Sequence, residues 1–284
     1  MADIPTSVRD ATARAGQAYR EASPWIERLA RLGYAARGGV YLIVGGLAAQ
    51  AAVGTGGRTA DAEGVFSTVL HQPFGKFLLG VLAFGLVGYS VWRFVQAIKD
   101  PEHAGNQAQG LGKRLGYFLS GVIHVGLAMA AVGMLAGTAW GEGRDGAQDW
   151  TARLMALPAG IWVVGAVGVA VAGFGLSQLY RAWAVKLEEE LDLRGMTGTA
   201  RHWTVRFGRF GLAAQGVVFG IIGVSLLIAA SHADPSEARG LGEALQALRG
   251  QAYGPWLLGG VALGLVAYGL YQWVVAGYRR IQPG

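Results

Sequence analysis

The chain has 284 residues, of which 52% are hydrophobic and only 15% are charged, with 47 glycines and a formal net charge of +6. Glycine usually makes up about 7% of a soluble protein and charged residues about 25%, so this composition is not that of a soluble globular domain. The chain contains no cysteine, which excludes disulfides, thiolate metal sites and thiol chemistry.

The first 30 residues carry charge throughout and precede the first long apolar run. Apolar residues recur among them at helical spacing, which predicts either a weakly amphipathic helix on the membrane surface or a partly disordered segment. The apolar run that follows is too long for the hydrophobic region of a cleavable signal peptide, so we expect this segment to stay on the protein. Its basic residues are Arg9, Arg14, Arg20 and Arg28.

Six stretches are apolar for long enough to cross a bilayer, which takes about 20 residues. They are continuously apolar and rich in Gly and Ala, whereas the strands of a membrane β-barrel alternate between apolar and polar residues. We therefore predict six transmembrane helices. They cover residues 33–53, 74–98, 115–137, 159–184, 208–230 and 254–278.

The spans come in pairs that repeat one pattern three times. The copies begin with RLGYAARGGVY at Arg31, RLGYFLSGVIH at Arg114 and RFGLAAQGVVF at Arg209. Each copy holds two spans, so all three enter the membrane in the same direction and a pseudo-threefold axis along the membrane normal can relate them. The predicted organisation is an N-terminal segment 1–30 followed by repeats 31–105, 111–190 and 206–280.

A link with apolar residues at helical spacing joins the two spans of each repeat. Such spacing predicts short amphipathic helices that lie flat on the outer surface. The predicted fold class is therefore all-α and integral to the membrane, with three tandem helix pairs and a short amphipathic surface helix inside each pair. The apolar residues of the links are Val65, Phe66, Val69, Leu70, Trp150, Leu154, Met155, Leu157, Leu241, Leu245 and Leu248.

Lysine and arginine concentrate on one side of the predicted bundle. Because cytoplasmic loops carry an excess of these residues, we expect both termini to be cytoplasmic. The basic face predicts membrane lipids with anionic headgroups as partners, and the chain carries no nucleic-acid-binding motif. Glycines in small-xxx-small spacing within the spans predict close helix packing.

Polar residues at membrane depth are candidate functional groups. Equivalent positions of the three copies place six of them at a similar depth near the cytoplasmic face. This candidate polar layer consists of Arg37, Ser120, Gln215, Arg93, Gln178 and Gln272. A candidate aromatic layer one turn deeper consists of Tyr41, His124, Phe219, Tyr89, Phe174 and Tyr268.

The two layers have two interpretations. In the first, they form a vestibule open to the cytoplasm, where Arg37 and Arg93 attract an anion or an acidic headgroup and the aromatic ring closes the floor. In the second, the arginines extend to the membrane interface, while the glutamines bond neighbouring helices at about 1 kcal/mol per bond. Both interpretations stay open at the level of sequence.

The sequence lacks the residues that ion-coupled transport, metal binding or catalysis would require. No carboxylate lies within a predicted span, which argues against proton- or sodium-coupled transport. The histidines show no metal-ligand spacing and no catalytic motif is present, so we expect no catalytic residue, no metal and no cofactor. His124, well inside a span, is the one candidate acid or base in the event of enzymatic activity.

The repeat motif resembles that of a known protein family. With LGYAARGGVY at Leu32 to Tyr41, the chain resembles a bacterial membrane family catalogued as domain of unknown function 1206, whose tandem two-helix units open with a similar segment. The second copy has Ser120 in place of the arginine and the third has Gln215 there. The resemblance covers residues from about 28 to 280. It implies a six-span protein of a bacterial cytoplasmic membrane and no particular activity.

These observations predict a structural, partner-binding or lipid-binding role rather than an enzyme. The alternative is a passive channel or uncoupled carrier for a small anionic solute along the pseudo-threefold axis, with Arg37 and Arg93 at the cytoplasmic entrance. A continuous water-filled path favours the alternative, and a sealed axis favours the first role.

Overall fold

The structure, a computed structural model, describes residues 6–55, 59–101, 105, 107–138, 146–185, 187–191 and 195–279. Side chains are described from residue 24 onward, except at 189 and 190. Residues 1–5 of the predicted N-terminal segment and residue 280 of the third repeat lie outside the described residues. Apart from one bridge between Leu191 and Arg279, the regular structure of the described part is helical.

Nine α-helices occur in the described residues, and six of them are long and apolar enough to cross a membrane. The predicted fold class is therefore confirmed, and the protein is a multi-pass membrane protein. The spanning helices are α1 (Thr6–Val53), α3 (Gly75–Lys99), α4 (Ala108–Ala136), α6 (Gly160–Ala184), α7 (Gly198–His232) and α9 (Gly254–Tyr278). The short helices inside the three repeats are α2 (Ala62–Leu70), α5 (Gly146–Met155) and α8 (Leu241–Arg249).

The N-terminal segment is continuous with the first span, which differs from the separate segment expected over residues 1–30. Helix α1 runs without interruption from Thr6 to Val53 and includes Pro24. Between Pro24 and Gly33 no glycine or further proline stands in the chain, so nothing there favours a turn. The part of α1 that is long and apolar enough to cross a membrane begins at Pro24.

The six spanning helices pack side by side in the order α4, α3, α1, α9, α7, α6. In the first repeat α1 packs against α3, and in the third α7 packs against α9. In the second repeat α4 and α6 form no packed interface along their described lengths. The two ends of this row of helices, α4 and α6, are therefore not packed against each other, and we name this missing interface the α4/α6 gap.

A buried apolar cluster fills the half of the bundle beneath the short helices. Helices in lipid gain stability from close van der Waals contact rather than from the hydrophobic effect, so small and branched side chains dominate it. Five of the six spanning helices contribute, and α6 does not. Representative members are Val44, Leu86, Ala131, Val218 and Leu265.

The short helices bury their apolar sides unequally. In α2, Phe66 is fully buried, and in α8, Leu245 is as well. In α5, by contrast, the predicted apolar residue Trp150 is 65% exposed, and the buried residue is Thr151. Helix α5 belongs to the second repeat, whose two spans stand apart, so it lacks the paired helices on which α2 and α8 pack.

Each short helix turns into the following span through one left-handed residue. Phe74, Ala159 and Tyr253 occupy equivalent positions with φ of 60°, 59° and 62°. In this conformation the Cβ of an L-residue crowds the backbone, at a cost of roughly 1–2 kcal/mol. The glycine that begins the next span follows directly, so the turn has the same form in all three repeats.

Replacing Ala159 by glycine is expected to stabilise the protein by about 1 kcal/mol, because glycine adopts positive φ without the steric cost. The matched control is Ala166→Gly, on the exposed side of α6, where the same change costs about 1 kcal/mol of helix propensity. Thermal unfolding in detergent should thus move in opposite directions for the two variants. Destabilisation by both would contradict the strained turn.

Candidate functional site

Two arginines from different helices share one tyrosine hydroxyl. Arg37 on α1 donates from Nη1 to the Tyr89 hydroxyl at 2.6 Å. Arg93, one turn after Tyr89 on α3, donates to the same oxygen from Nε at 2.8 Å and also from Nη2. The remaining terminal nitrogen of Arg93 donates to the Gln96 side-chain oxygen at 2.9 Å. Tyr89 itself is fully buried, so both guanidinium groups are drawn into the bundle.

The Arg37 guanidinium lies among three tyrosine rings from three helices. Its central carbon is 5.6 Å from the ring centre of Tyr41, 5.3 Å from that of Tyr89 and 5.6 Å from that of Tyr268. Tyr41 and Tyr268 also meet edge to face, with ring centres 4.8 Å apart. Cation–π contacts of this kind reach about 2 kcal/mol when the cation is shielded from water. They hold the Arg37 guanidinium among the tyrosines of the bundle.

In the described part of the chain, neither guanidinium has an acidic partner. Among the described residues, no Asp or Glu oxygen lies within salt-bridge distance of Arg37 or Arg93. Burying a charge costs free energy unless an opposite charge or several hydrogen bonds compensate it. Two neighbouring positive charges that are compensated by a phenol oxygen, an amide oxygen and aromatic rings, but by no negative charge among the described residues, form a site that an anion stabilises.

A chain of amide and phenol hydrogen bonds extends from this site across the bundle. The Gln178 side chain on α6 donates to the Gln215 side-chain oxygen on α7 at 2.5 Å. Gln215 in turn donates to the Tyr41 hydroxyl on α1 at 2.7 Å. Both glutamines are buried. The third glutamine of the predicted polar layer, Gln272, donates within its own helix to the Tyr268 hydroxyl at 2.7 Å.

His124 joins the site from α4. Its ring lies 4.5 Å from the Tyr89 ring, centre to centre. Its Nδ1 is 2.8 Å from the main-chain oxygen of Ser120, and a carbonyl oxygen only accepts, so Nδ1 carries the hydrogen. Ser120 thus contributes its backbone to the site through His124.

The structure brings most of the predicted residues together but does not keep them in two layers. The arginines lie over the tyrosine rings, and the tyrosine hydroxyls accept their hydrogen bonds, so polar and aromatic groups interleave. Phe174 and Phe219 stand apart from the arginines and pair with each other at 5.0 Å, with Phe174 41% exposed. We name the arginine–tyrosine cluster by its members Arg37, Arg93, Tyr41, Tyr89 and Tyr268.

Two contacts of Arg93 were missed at the level of sequence. Gln96 accepts its hydrogen bond, and the Tyr117 ring on α4 lies 5.2 Å from its central carbon. The i,i+3 spacing of Arg93 and Gln96 was the available signal, because residues three apart share a helix face. Tyr117 offered none, since its approach depends on how α4 packs against α3.

Two other features of the described residues bear on ligands. No group of three His, Cys, Asp or Glu side chains is placed to hold a metal ion in the described part of the chain. An apolar groove of about 480 Å³ lies between α3 and α4, lined by residues such as Val91, Met129 and Val132. The buried Ser90 hydroxyl lines it and has no hydrogen-bond partner among the described residues.

Comparison with known proteins agrees with this repeat structure. The model of a family described as Domain of Unknown Function (DUF1206) matches the chain three times, at residues 32–100, 115–184 and 210–279. The chain belongs to this family. Each match coincides with one helix pair, so the predicted tandem repeats are confirmed. At the position of Arg37 in the first unit, the second and third units carry Ser120 and Gln215.

A relative with similar sequence is found in a bacterium. The chain is 36% identical over 262 residues to a Bacillus subtilis (strain 168) protein named "Uncharacterized protein YxxB", and the match spans 92% of this chain and 94% of that protein. The similarity therefore extends over all three DUF1206 units. No solved structure matches the chain.

Proposed function

We propose that the protein binds the anionic headgroup of a membrane lipid at the arginine–tyrosine cluster and has no enzymatic activity. The observation that carries this proposal is the pair of guanidinium groups that share the Tyr89 hydroxyl without an acidic partner among the described residues. Guanidinium groups bind phosphate oxygens through paired, charge-assisted hydrogen bonds. A phosphodiester headgroup is thus the ligand chemistry that the cluster suits.

The packing of the rest of the bundle favours a lipid over a transported solute. Buried apolar side chains from five spanning helices fill the half beneath the short helices, which supports a sealed axis rather than a continuous water-filled path. The two spans of the second repeat, in contrast, form no packed interface along their described lengths. A lipid has access from the bilayer where neighbouring spans do not pack, whereas a soluble anion requires a route from water.

The proposal includes an orientation. We place the protein in the bacterial cytoplasmic membrane with both termini in the cytoplasm, because Lys and Arg concentrate on that side. The cluster then lies toward the leaflet whose anionic lipids give a negative surface potential. In this arrangement His124 is a packing residue with its Nδ1 hydrogen committed to the Ser120 carbonyl.

Lipid selectivity tests the proposal. The purified protein is expected to bind phosphatidylglycerol at least about tenfold more tightly than phosphatidylcholine, a difference of about 1.4 kcal/mol. The double variant Arg37→Gln/Arg93→Gln should lose that preference, because it removes both charges and keeps polar side chains. Native mass spectrometry of the protein with defined lipids measures the ratio directly.

The matched control is Arg153→Gln, which removes one exposed arginine of α5 beside Trp150 and should keep the selectivity. Equal binding of the two lipids by the wild-type protein would overturn the proposal. Binding of free glycerol phosphate as tight as that of phosphatidylglycerol, together with its passage into proteoliposomes, would replace it by the uncoupled anion carrier.

A further inference from the structure

The two arginines of the arginine–tyrosine cluster differ in the donors that they leave free. Arg93 donates from Nε and Nη2 to the Tyr89 hydroxyl and from Nη1 to the Gln96 side-chain oxygen. Arg37 donates to one described acceptor only, from Nη1 to the same Tyr89 hydroxyl. Nε and Nη2 carry a parallel N–H pair with which a guanidinium group binds two oxygens of one anion. That pair is therefore occupied on Arg93 and open on Arg37, which is half-buried.

The Tyr41 hydroxyl is a further free donor, one helical turn after Arg37 on α1. Its oxygen accepts from the Gln215 side chain at 2.7 Å, and its own hydrogen has no acceptor among the described residues. A phenol both accepts and donates, so this hydrogen is available to a ligand. The hydroxyls of Tyr89 and Tyr268 also accept without donating to a described residue, but both residues are buried, whereas Tyr41 is half-buried. Arg37 and Tyr41 thus present the accessible free donors of the cluster.

We infer that Arg37 and Tyr41 contact the lipid phosphate directly, and that Arg93 is a positioning residue. Nε and Nη2 of Arg37 donate to the two non-bridging oxygens of a phosphodiester, and the Tyr41 hydroxyl donates to one of the same oxygens. Arg93 holds the Tyr89 hydroxyl, to which Nη1 of Arg37 also donates, and so fixes the plane of the Arg37 guanidinium group. The inference rests on the proposed function and divides its site into contacting and positioning residues. The ligand is accordingly recognised by its pair of oxygens as well as by its charge.

Lysine variants separate the two roles, because lysine keeps the charge but lacks the paired N–H groups. Arg37→Lys is expected to weaken phosphatidylglycerol binding at least about tenfold, close to the effect of Arg37→Met. Arg93→Met should weaken binding as well, because it releases the Tyr89 hydroxyl. Arg93→Lys should bind at least about threefold more tightly than Arg93→Met, because an ammonium group still donates to that hydroxyl. Native mass spectrometry with phosphatidylglycerol and phosphatidylcholine measures each ratio.

Tyr41→Phe tests the hydroxyl donor without changing the charge of the site, and we expect it to weaken phosphatidylglycerol binding about threefold or more. The matched control is Tyr34→Phe, also on α1. The Tyr34 hydroxyl accepts from Trp92 Nε1 at 3.2 Å, and Tyr34 is buried. Each variant leaves one N–H donor without its phenol acceptor, so thermal stability in detergent should fall by a similar amount in both. Only Tyr41→Phe should lose lipid affinity.

Two results overturn the inference. One is a loss of binding in Arg93→Lys as large as that in Arg37→Lys, and the other is phosphatidylglycerol binding by Tyr41→Phe as tight as that by Tyr34→Phe. Either result leaves the wild-type preference for phosphatidylglycerol over phosphatidylcholine in place. Failure of the proposed function is distinguishable, because the wild-type protein itself would then bind both lipids equally.

Discussion

Replacing Gly254 by alanine is expected to destabilise the protein by about 3 kcal/mol, at the upper end of the cost of overpacking. A Cβ at this position would lie 1.9 Å from the main-chain oxygen of Arg249, at the end of α8. That neighbour is backbone, so no side-chain rotation relieves the clash, and α8 has to move away from the start of α9. Reversible unfolding in mixed micelles measures the loss.

The control for this change is Gly260→Ala in the same helix. A Cβ at Gly260 has no atom within 4 Å, and alanine gains up to about 1 kcal/mol of helix propensity over glycine. We expect this variant to be as stable as the wild-type protein or slightly more stable. An equal loss in both variants would show that the close approach of α8 to α9 is not what requires glycine at 254.

The same close approach occurs in all three repeats. Equivalent Cβ atoms on Gly75 and Gly160 would lie 2.3 Å and 1.9 Å from the main-chain oxygens of Leu70 and Leu154. The turn that joins each short helix to its span is thus the part of the repeat where the three copies agree. The second repeat keeps this turn even though its two spans are apart.

Replacing Gly211 by alanine is expected to cost about 2–3 kcal/mol, while Gly116→Ala should cost less than about 0.5 kcal/mol. The two glycines are equivalent in sequence, but the Cβ of the first would meet the Tyr268 backbone at 2.5 Å and that of the second would meet nothing within 4 Å. The difference between the variants measures how far the third repeat is closed and the second is open. Equilibrium unfolding under the same conditions provides both values.

This comparison also bears on the α4/α6 gap. If Gly116→Ala were as costly as Gly211→Ala, then α4 and α6 would pack in the bilayer as α7 and α9 do, and the gap would not exist there. If Gly33→Ala resembled Gly116→Ala instead, the first repeat would be the open one. The expected order is therefore Gly33 and Gly211 sensitive, and Gly116 tolerant.

The composition of the candidate site was largely predictable, and its geometry was not. Because these residues occupy equivalent positions in the three repeats, the sequence predicted that Arg37, Arg93 and the aromatic residues lie at similar depths in the membrane. The sharing of the Tyr89 hydroxyl by two arginines depends on how α1 and α3 pack, since the residues lie on different helices. For the same reason the two predicted layers merge into one cluster.

The sequence by itself determined the six spans, the three repeats and the short helices between them, because each rests on local length, apolar content and periodicity along the chain. Only the tertiary structure decided which neighbouring helices touch. Gly116 looks like Gly33 and Gly211 in the repeat motif, yet a Cβ there would meet no atom within 4 Å, whereas Cβ atoms on the other two would meet the backbone of the partner helix. Contact between helices in lipid depends on the fit of both surfaces at the point of closest approach, and that fit belongs to pairs of residues rather than to either segment alone.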